Sequence, residues 1–348
     1  MRHALAALLL VSALWAAAPA RADYMIGFEA FRIEEYGVAL SELTPAAAEG
    51  DGGAAILIGL IHANGYGGRP PDMAAALRWY EEGARSGDVA ARAIAGALIG
   101  IRRNAVREFE SSMAWLNDAA SRGNTGAQTV LGWLLANGLG VERRDTASGL
   151  AWTRRAAEGG HLGAAYRLAS QYLEGTLGAP KDEREAAVWF QRAGDGGHAA
   201  SQAALALLYA AGRGVPADPA QAAAWARKAA EQGLAEGQFF LAGLYANGVG
   251  VAKDEAEAFS WYYRAAEQNY GPAQLRVAQM FASGTGAPQD YGEAYFWLIL
   301  AALASVGQDV ARAEQLRDQI VPNVTTKDQD EIEGRALRWH PPAPRVRP

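Results

Sequence analysis

The chain has 348 residues, half of them apolar, which is enough to bury a large core. It carries a formal net charge of −6 and no cysteine. That balance argues against a nucleic-acid partner, which needs a basic face. The missing thiols exclude disulfides, a cysteine nucleophile and cysteine-ligated zinc.

The N-terminus reads as a secretory signal. Met1, Arg2 and His3 form a short basic region, and Ala4 to Leu14 is an apolar run. Ala20-Arg21-Ala22 sets small residues in a cleavage pattern, so processing is expected after Ala22. The apolar run is shorter than the ~20 residues a spanning helix needs, and no later stretch is long enough, so no stable membrane span is expected after cleavage. Loss of residues 1–22 removes Arg2 and Arg21 and no acid, taking the formal charge from −6 to −8.

Periodicity dominates the rest. Trp79, Trp115, Trp152, Trp189, Trp225, Trp261 and Trp297 are spaced by 36, 37, 37, 36, 36 and 36 residues. Gly50, Gly87, Gly123, Gly160, Gly197, Gly233 and then Asn269 run in step. Two markers sharing one period indicate tandem repeats. Each unit reads as helix, loop, helix. The first helix carries apolar residues at helical spacing, as in Ala127, Val130, Leu131, Leu134 and Leu135. It ends in a glycine-rich turn: Asn137-Gly-Leu-Gly140, Ala211-Gly-Arg-Gly214, Asn247-Gly-Val-Gly250 and Ser283-Gly-Thr-Gly286. Asp72, Asp145, Asp182, Asp218, Asp254 and Asp290 then stand at N-cap positions of the second helix. Around each Trp, the positions three before and four after are small, as at Ala222 and Ala229 around Trp225. These share one helix face and allow a neighbouring backbone to come close. No unit buries that face alone, so the units must stack into an all-α αα-superhelix.

Seven units are read over residues 51–307. Residues 23–50, with Glu42 in the Trp register, form an N-terminal capping half-repeat. Residues 308–339, split near Pro322, form a C-terminal helical cap, and the Pro/Arg-rich 340–348 a disordered tail. The second unit is degenerate: Ile101-Arg-Arg-Asn104 replaces the Gly-x-Gly turn.

The pattern Leu-x-x-Leu-Tyr-x-x-Gly-x-Gly-Val, then Asp, then Ala-x-x-Trp-x-x-x-Ala-Ala-Glu-x-Gly resembles the Sel1-like repeat, a relative of the tetratricopeptide repeat. It is best kept at Leu241 to Val251, Asp254 and Ala258 to Glu267. The resemblance spans about residues 30–310. It implies a helical-pair solenoid serving as an adaptor, often exported in bacteria, acting in envelope signalling, polysaccharide-export assembly or host contact. A cysteine-rich branch is linked to penicillin binding and weak β-lactamase activity; the absence of cysteine here separates this chain from that branch.

A catalytic constellation is not evident. No Ser-x-x-Lys or Gly-x-Ser-x-Gly occurs, and the Gly-x-Gly turns follow helices, not strands. Among the histidines, His62 takes the register of Tyr172, Tyr209 and Tyr245. His161 and His198 hold equivalent places in adjacent units, either as exposed turn residues or as a metal pair; zinc usually needs three or four close ligands. No enzyme activity, cofactor or metal is expected.

Partner contacts are expected on the first helices, which line the concave face in such solenoids. Registers that vary between units are the candidates, above all where they hold aromatics or arginine. These are Trp133, Tyr166, Arg167, Phe239, Phe240 and Arg276. The competing readings are an enzyme acting on cell-wall material and a carbohydrate-binding scaffold in polymer export. The latter is favoured by a row of exposed aromatics.

Overall fold

A computed structural model describes residues 28, 31, 36–66, 70–86, 106–138, 144–304 and 308–339. The signal-like segment, the Ile101–Asn104 loop and the tail from residue 340 lie outside the described residues. The chain divides into two compact units at Trp189.

The first unit contains α1 (Tyr36–Ala48), α2 (Gly52–Asn64), α3 (Met73–Arg85), α4 (Val106–Ser121), α5 (Thr125–Asn137), α6 (Thr146–Glu158), α7 (Leu162–Glu174) and the start of α8 (Glu183–Asp195). The second continues with α9 (Ala199–Ala211), α10 (Pro219–Glu231), α11 (Ala235–Asn247), α12 (Glu255–Glu267), α13 (Gly271–Ser283) and α14 (Tyr291–Ala304). Then come α15 (Gln308–Ile320), a 3₁₀ turn (Val321–Asn323) holding Pro322, and α16 (Thr326–Leu337). No strand occurs among the described residues. Each unit is a run of antiparallel helical hairpins. A first helix packs on the second helix of its own hairpin and on the one before it.

The turn chemistry follows the sequence closely. Gly65, Gly138, Gly175, Gly212, Gly248 and Gly284 cap the first helices in the left-handed region, where a Cβ is costly. The carboxylates of Asp72, Asp145, Asp182, Asp218, Asp254 and Asp290 accept backbone N–H bonds of the following helix. The backbone N–H of each Asp also donates back to the preceding first helix, as from Asp218 to Tyr209 O at 2.9 Å and from Asp254 to Tyr245 O at 3.0 Å. One residue type thus closes the loop and starts the next helix.

The second glycine of the turn has a different task. A Cβ on Gly250 would lie 1.9 Å from Pro219 O, and one on Gly286 would lie 2.2 Å from Glu255 O. These glycines let the turn of one hairpin sit on the start of the previous second helix. Small residues do the same along the helices. In the first unit a Cβ on Gly149 would meet Ala136 Cβ at 2.7 Å and Gly132 O at 2.7 Å, so α5 and α6 pack almost backbone to backbone. In the second unit alanine fills the equivalent places: Ala222, Ala229, Ala258, Ala265, Ala294 and Ala301 are fully buried.

The tryptophans are the bulk between these thin contacts. Trp189, Trp225, Trp261 and Trp297 are buried, and Trp79 and Trp152 half-buried. The cation three residues on covers the ring in several units: Arg155 over Trp152 at 4.6 Å, Lys228 over Trp225 at 3.7 Å and Arg264 over Trp261 at 4.3 Å. At the C-terminal end, Tyr295 donates to Glu333 at 2.7 Å and Arg335 donates to Glu293 at 2.8 Å, pinning α16 to α14. Trp339 meets Trp297 edge-on.

Candidate partner-binding surface

The six residues expected to contact a partner fall on four first helices. Trp133 is on α5, Tyr166 and Arg167 on α7, Phe239 and Phe240 on α11, and Arg276 on α13. Trp133 is 5% exposed and belongs to the core of its unit, so its ring is a packing residue. The expectation is corrected at that position: α5 is buried along most of its length, from Gly126 to Leu134 without a break, and has no polar face to turn outward.

Tyr166 and Arg167 are half-buried. The Arg167 Nη1 is shielded from solvent and has no hydrogen-bond partner among the described residues. Burial alone lowers its guanidinium from the usual value to about 10, so it stays charged at neutral pH. An uncompensated cation in this position is a cost to the isolated fold.

Phe239 is half-buried, packed edge-on against Tyr262 and Tyr270 at 5.3 and 5.4 Å between ring centres. Phe240 is also half-buried. Arg276 is exposed and donates to Gln279 at 3.1 Å. The structure brings Phe239 and Arg276 together. They border a hollow of about 110 Å³ with Pro272, Leu275, Gln279 and Arg312. Arg276 and Gln279 also border a second hollow of about 240 Å³ that includes Tyr262, Met280 and Glu255. Burial raises the Tyr262 phenol above its usual value, with Arg276 pulling the other way, so its hydroxyl stays neutral. The Glu255 carboxylate is held by Lys253 at 2.9 Å.

Two features escaped the sequence reading. The first is a set of buried glutamines near the start of the first helices. Gln128, Gln202, Gln238 and Gln274 each donate to a carbonyl eight residues back, at the end of the preceding second helix. Each of these carbonyls also accepts a backbone N–H from three residues on, so the amide adds a second bond at the helix end. The second is Arg312, which shares the hollow with Arg276 and lies 36 residues beyond it. Extending the repeat register into the C-terminal helices would have found it.

His161 is buried and His198 half-buried, so neither is an exposed turn residue. Each is the N-cap of its first helix, its Nδ1 accepting from Ala164 N–H at 3.0 Å and from Ser201 N–H at 3.2 Å. Equivalent caps elsewhere are Asp51 and Asn124, so the imidazole acts as a substitute acceptor. His62 is half-buried and its carbonyl accepts from the Asp72 N–H, as the carbonyls of Tyr172, Tyr209 and Tyr245 do for their aspartates. No cluster of three or more metal-binding side chains occurs among the described residues. No described helix is long and apolar enough to cross a membrane.

The Sel1 repeat profile matches residues 53–88, 125–161, 163–198, 199–234, 235–270 and 271–306. The interval from 89 to 124, which holds the degenerate unit, is not matched. Among solved structures, a Sel1 repeat protein from Oxalobacter formigenes is 27% identical, with a TM-score of 0.56, covering 87% of this chain and 85% of that one. A protective antigen present in uropathogenic Escherichia coli strains, displaying an SLR fold, is 23% identical with a TM-score of 0.50, covering 89% and 77%. No curated protein matches the chain. Six matched repeats, recurring turn glycines and aspartates, and small-residue helix contacts all follow one pattern: the chain belongs to the Sel1 repeat family.

Proposed function

We propose that the chain is a non-catalytic protein-interaction scaffold, exported to the bacterial envelope or beyond it after cleavage following Ala22. The observation that carries the scaffold reading is the division of labour among the helices. Second helices are committed to packing through their tryptophans and alanines, while α11 and α13 keep Phe239, Phe240 and Arg276 half-buried or exposed. Family membership supports it, since Sel1 repeats generally mediate protein contacts. The unpaired, shielded Arg167 supports it too, because a fold selected only for stability has no use for it.

A carbohydrate-binding role finds less support. The exposed large hydrophobics among the described residues are valines and leucines, and no aromatic ring is among them. An enzyme acting on cell-wall material lacks a converging set of acid, base and nucleophile in the hollows, whose lining carboxylate is the lysine-paired Glu255.

The test is a photo-crosslinking residue placed at Gln279 on the first-helix face and, as control, at the exposed Glu257 on a second helix. The expected result is a discrete partner captured in intact cells from position 279 and not from 257. Equal capture at both positions, or none, counts against the reading. N-terminal sequencing of the purified protein should begin at Asp23; retained residues 1–22 would refute processing. Turnover of a β-lactam or of peptidoglycan above background would refute the non-catalytic assignment.

A further inference from the structure

The register that holds Arg276 runs on into the C-terminal helices. Arg312 is one repeat period further along and lies on α15, which packs against α13 and α14. The two arginines border one hollow whose remaining walls are Phe239, Pro272, Leu275 and Gln279. Both are exposed, and neither has an ion-pair partner among the described residues. The carboxylate that lines the adjoining hollow, Glu255, is already held by Lys253. In a chain of net charge −6, two unmatched guanidiniums beside an apolar floor form a local reversal of sign.

We infer that this face of the second unit takes an acidic peptide segment, whose carboxylates pair with Arg276 and Arg312 while an apolar side chain enters the hollow between them. The inference rests on the scaffold reading above and specifies the partner's chemistry. A guanidinium binds a carboxylate through paired N–H donors, which gives direction as well as attraction. Phe239, Pro272 and Leu275 supply the apolar floor, with Phe239 already fixed edge-on by Tyr262 and Tyr270, so little side-chain freedom remains to be lost on binding. An acidic polysaccharide offers carboxylates but no apolar side chain for that floor. It also stacks best on exposed aromatic rings, and the exposed large hydrophobics among the described residues include none.

The experiment is calorimetric titration of the full chain with three probes. They are an end-blocked peptide alternating aspartate and leucine, the same peptide with asparagine for every aspartate, and polygalacturonate. The aspartate peptide is expected to bind at least about tenfold more tightly than its asparagine counterpart, with affinity falling as salt is raised. Arg276→Ala and Arg312→Ala are each expected to weaken it about tenfold, with Arg276→Lys recovering part of the loss and thermal melting unchanged. Equal binding of the two peptides, no binding of either, or indifference to both substitutions overturns the inference. So does arginine-dependent binding of polygalacturonate without binding of the peptide. A crosslinked cellular partner retained by the Arg276→Ala, Arg312→Ala double variant would overturn this inference and leave the scaffold reading standing. Peptide binding as expected, with no partner captured in cells, would count against the scaffold reading alone.

Discussion

Gln232 donates its side-chain amide to the Gln202 side-chain oxygen at 2.7 Å, and Gln202 in turn donates to the Gly194 carbonyl at 2.9 Å. One period on, Gln268 donates to Gln238 at 2.7 Å, and Gln238 to the Ala230 carbonyl at 3.3 Å. Each chain of bonds ties the end of one second helix to the first helix that precedes it, in a region where Gln202 and Gln238 are 4% and 5% exposed. Replacing Gln202 with leucine leaves the Gly194 carbonyl and the Gln232 amide without these partners. A loss of about 1–3 kcal/mol is expected, read from denaturant unfolding. A double-mutant cycle with Gln232→Leu should show coupling; strict additivity would mean the bond between them contributes nothing.

The close approach of α5 and α6 predicts a large effect from a small change. Gly149→Ala puts a methyl 2.7 Å from both Ala136 and the Gly132 carbonyl. A helical glycine replaced by alanine normally gains stability, by up to about 1 kcal/mol. Here overpacking is expected to reverse the sign and cost about 1–3 kcal/mol. A raised melting temperature would show that the two helices have room to separate.

His198 makes the fold acid-sensitive. Burial lowers its pKa from the ordinary 6.5 to about 4, and its Nδ1 must stay unprotonated to accept from Ser201. The unfolded chain therefore binds a proton that the folded chain refuses between those two values. Stability is full above pH 6.5 and falls as pH drops through the window from 6.5 to 4, by at most about 3 kcal/mol from this group. His198→Asn keeps a side-chain acceptor at the cap without the titration. The pH slope of unfolding between 6.5 and 4 should shrink in that variant; an unchanged slope would place the sensitivity elsewhere.

Arg167 offers the opposite kind of test, because its charge is buried without compensation. Arg167→Met keeps much of the apolar stem and removes the charge. Melting should rise, by an amount corresponding to about 1–3 kcal/mol, since replacing a buried charge with an apolar side chain of similar size is often stabilising. A fall in melting temperature would mean that the guanidinium contributes to the fold itself.

Removing one period marker shows how the load is divided. Trp225→Ala is expected to cost about 3–5 kcal/mol, whereas Lys228→Ala, which uncovers the same ring, should cost about 0.5–1 kcal/mol. Comparable losses would place much of the tryptophan's contribution in the cation above it.

The repeat length, the hairpin order, the caps and the small-residue helix faces were all legible in the amino-acid order. They depend on local rules: a glycine for a left-handed cap, an aspartate for free N–H groups, a large residue flanked by small ones at helical spacing. Those rules act within a dozen residues, so periodic spacing exposes them. What periodicity did not carry was which way a variable first-helix residue faces. Trp133 and Gly243 share one register, yet the former is core and the latter half-buried, because burial depends on the side chains contributed by neighbouring hairpins. The second turn glycine read as a cap residue, but the reason for it is the carbonyl of Pro219 or Glu255 less than 2.5 Å from where its Cβ would stand. His161 and His198 were read by residue type, whereas their role follows from the backbone N–H groups they face. Sequence alone determined that helices pair and pile up with one period. Only tertiary structure decided which polar groups meet across 30 residues, and that Arg276 and Arg312 border the same apolar hollow, because those distances are set by packing between hairpins.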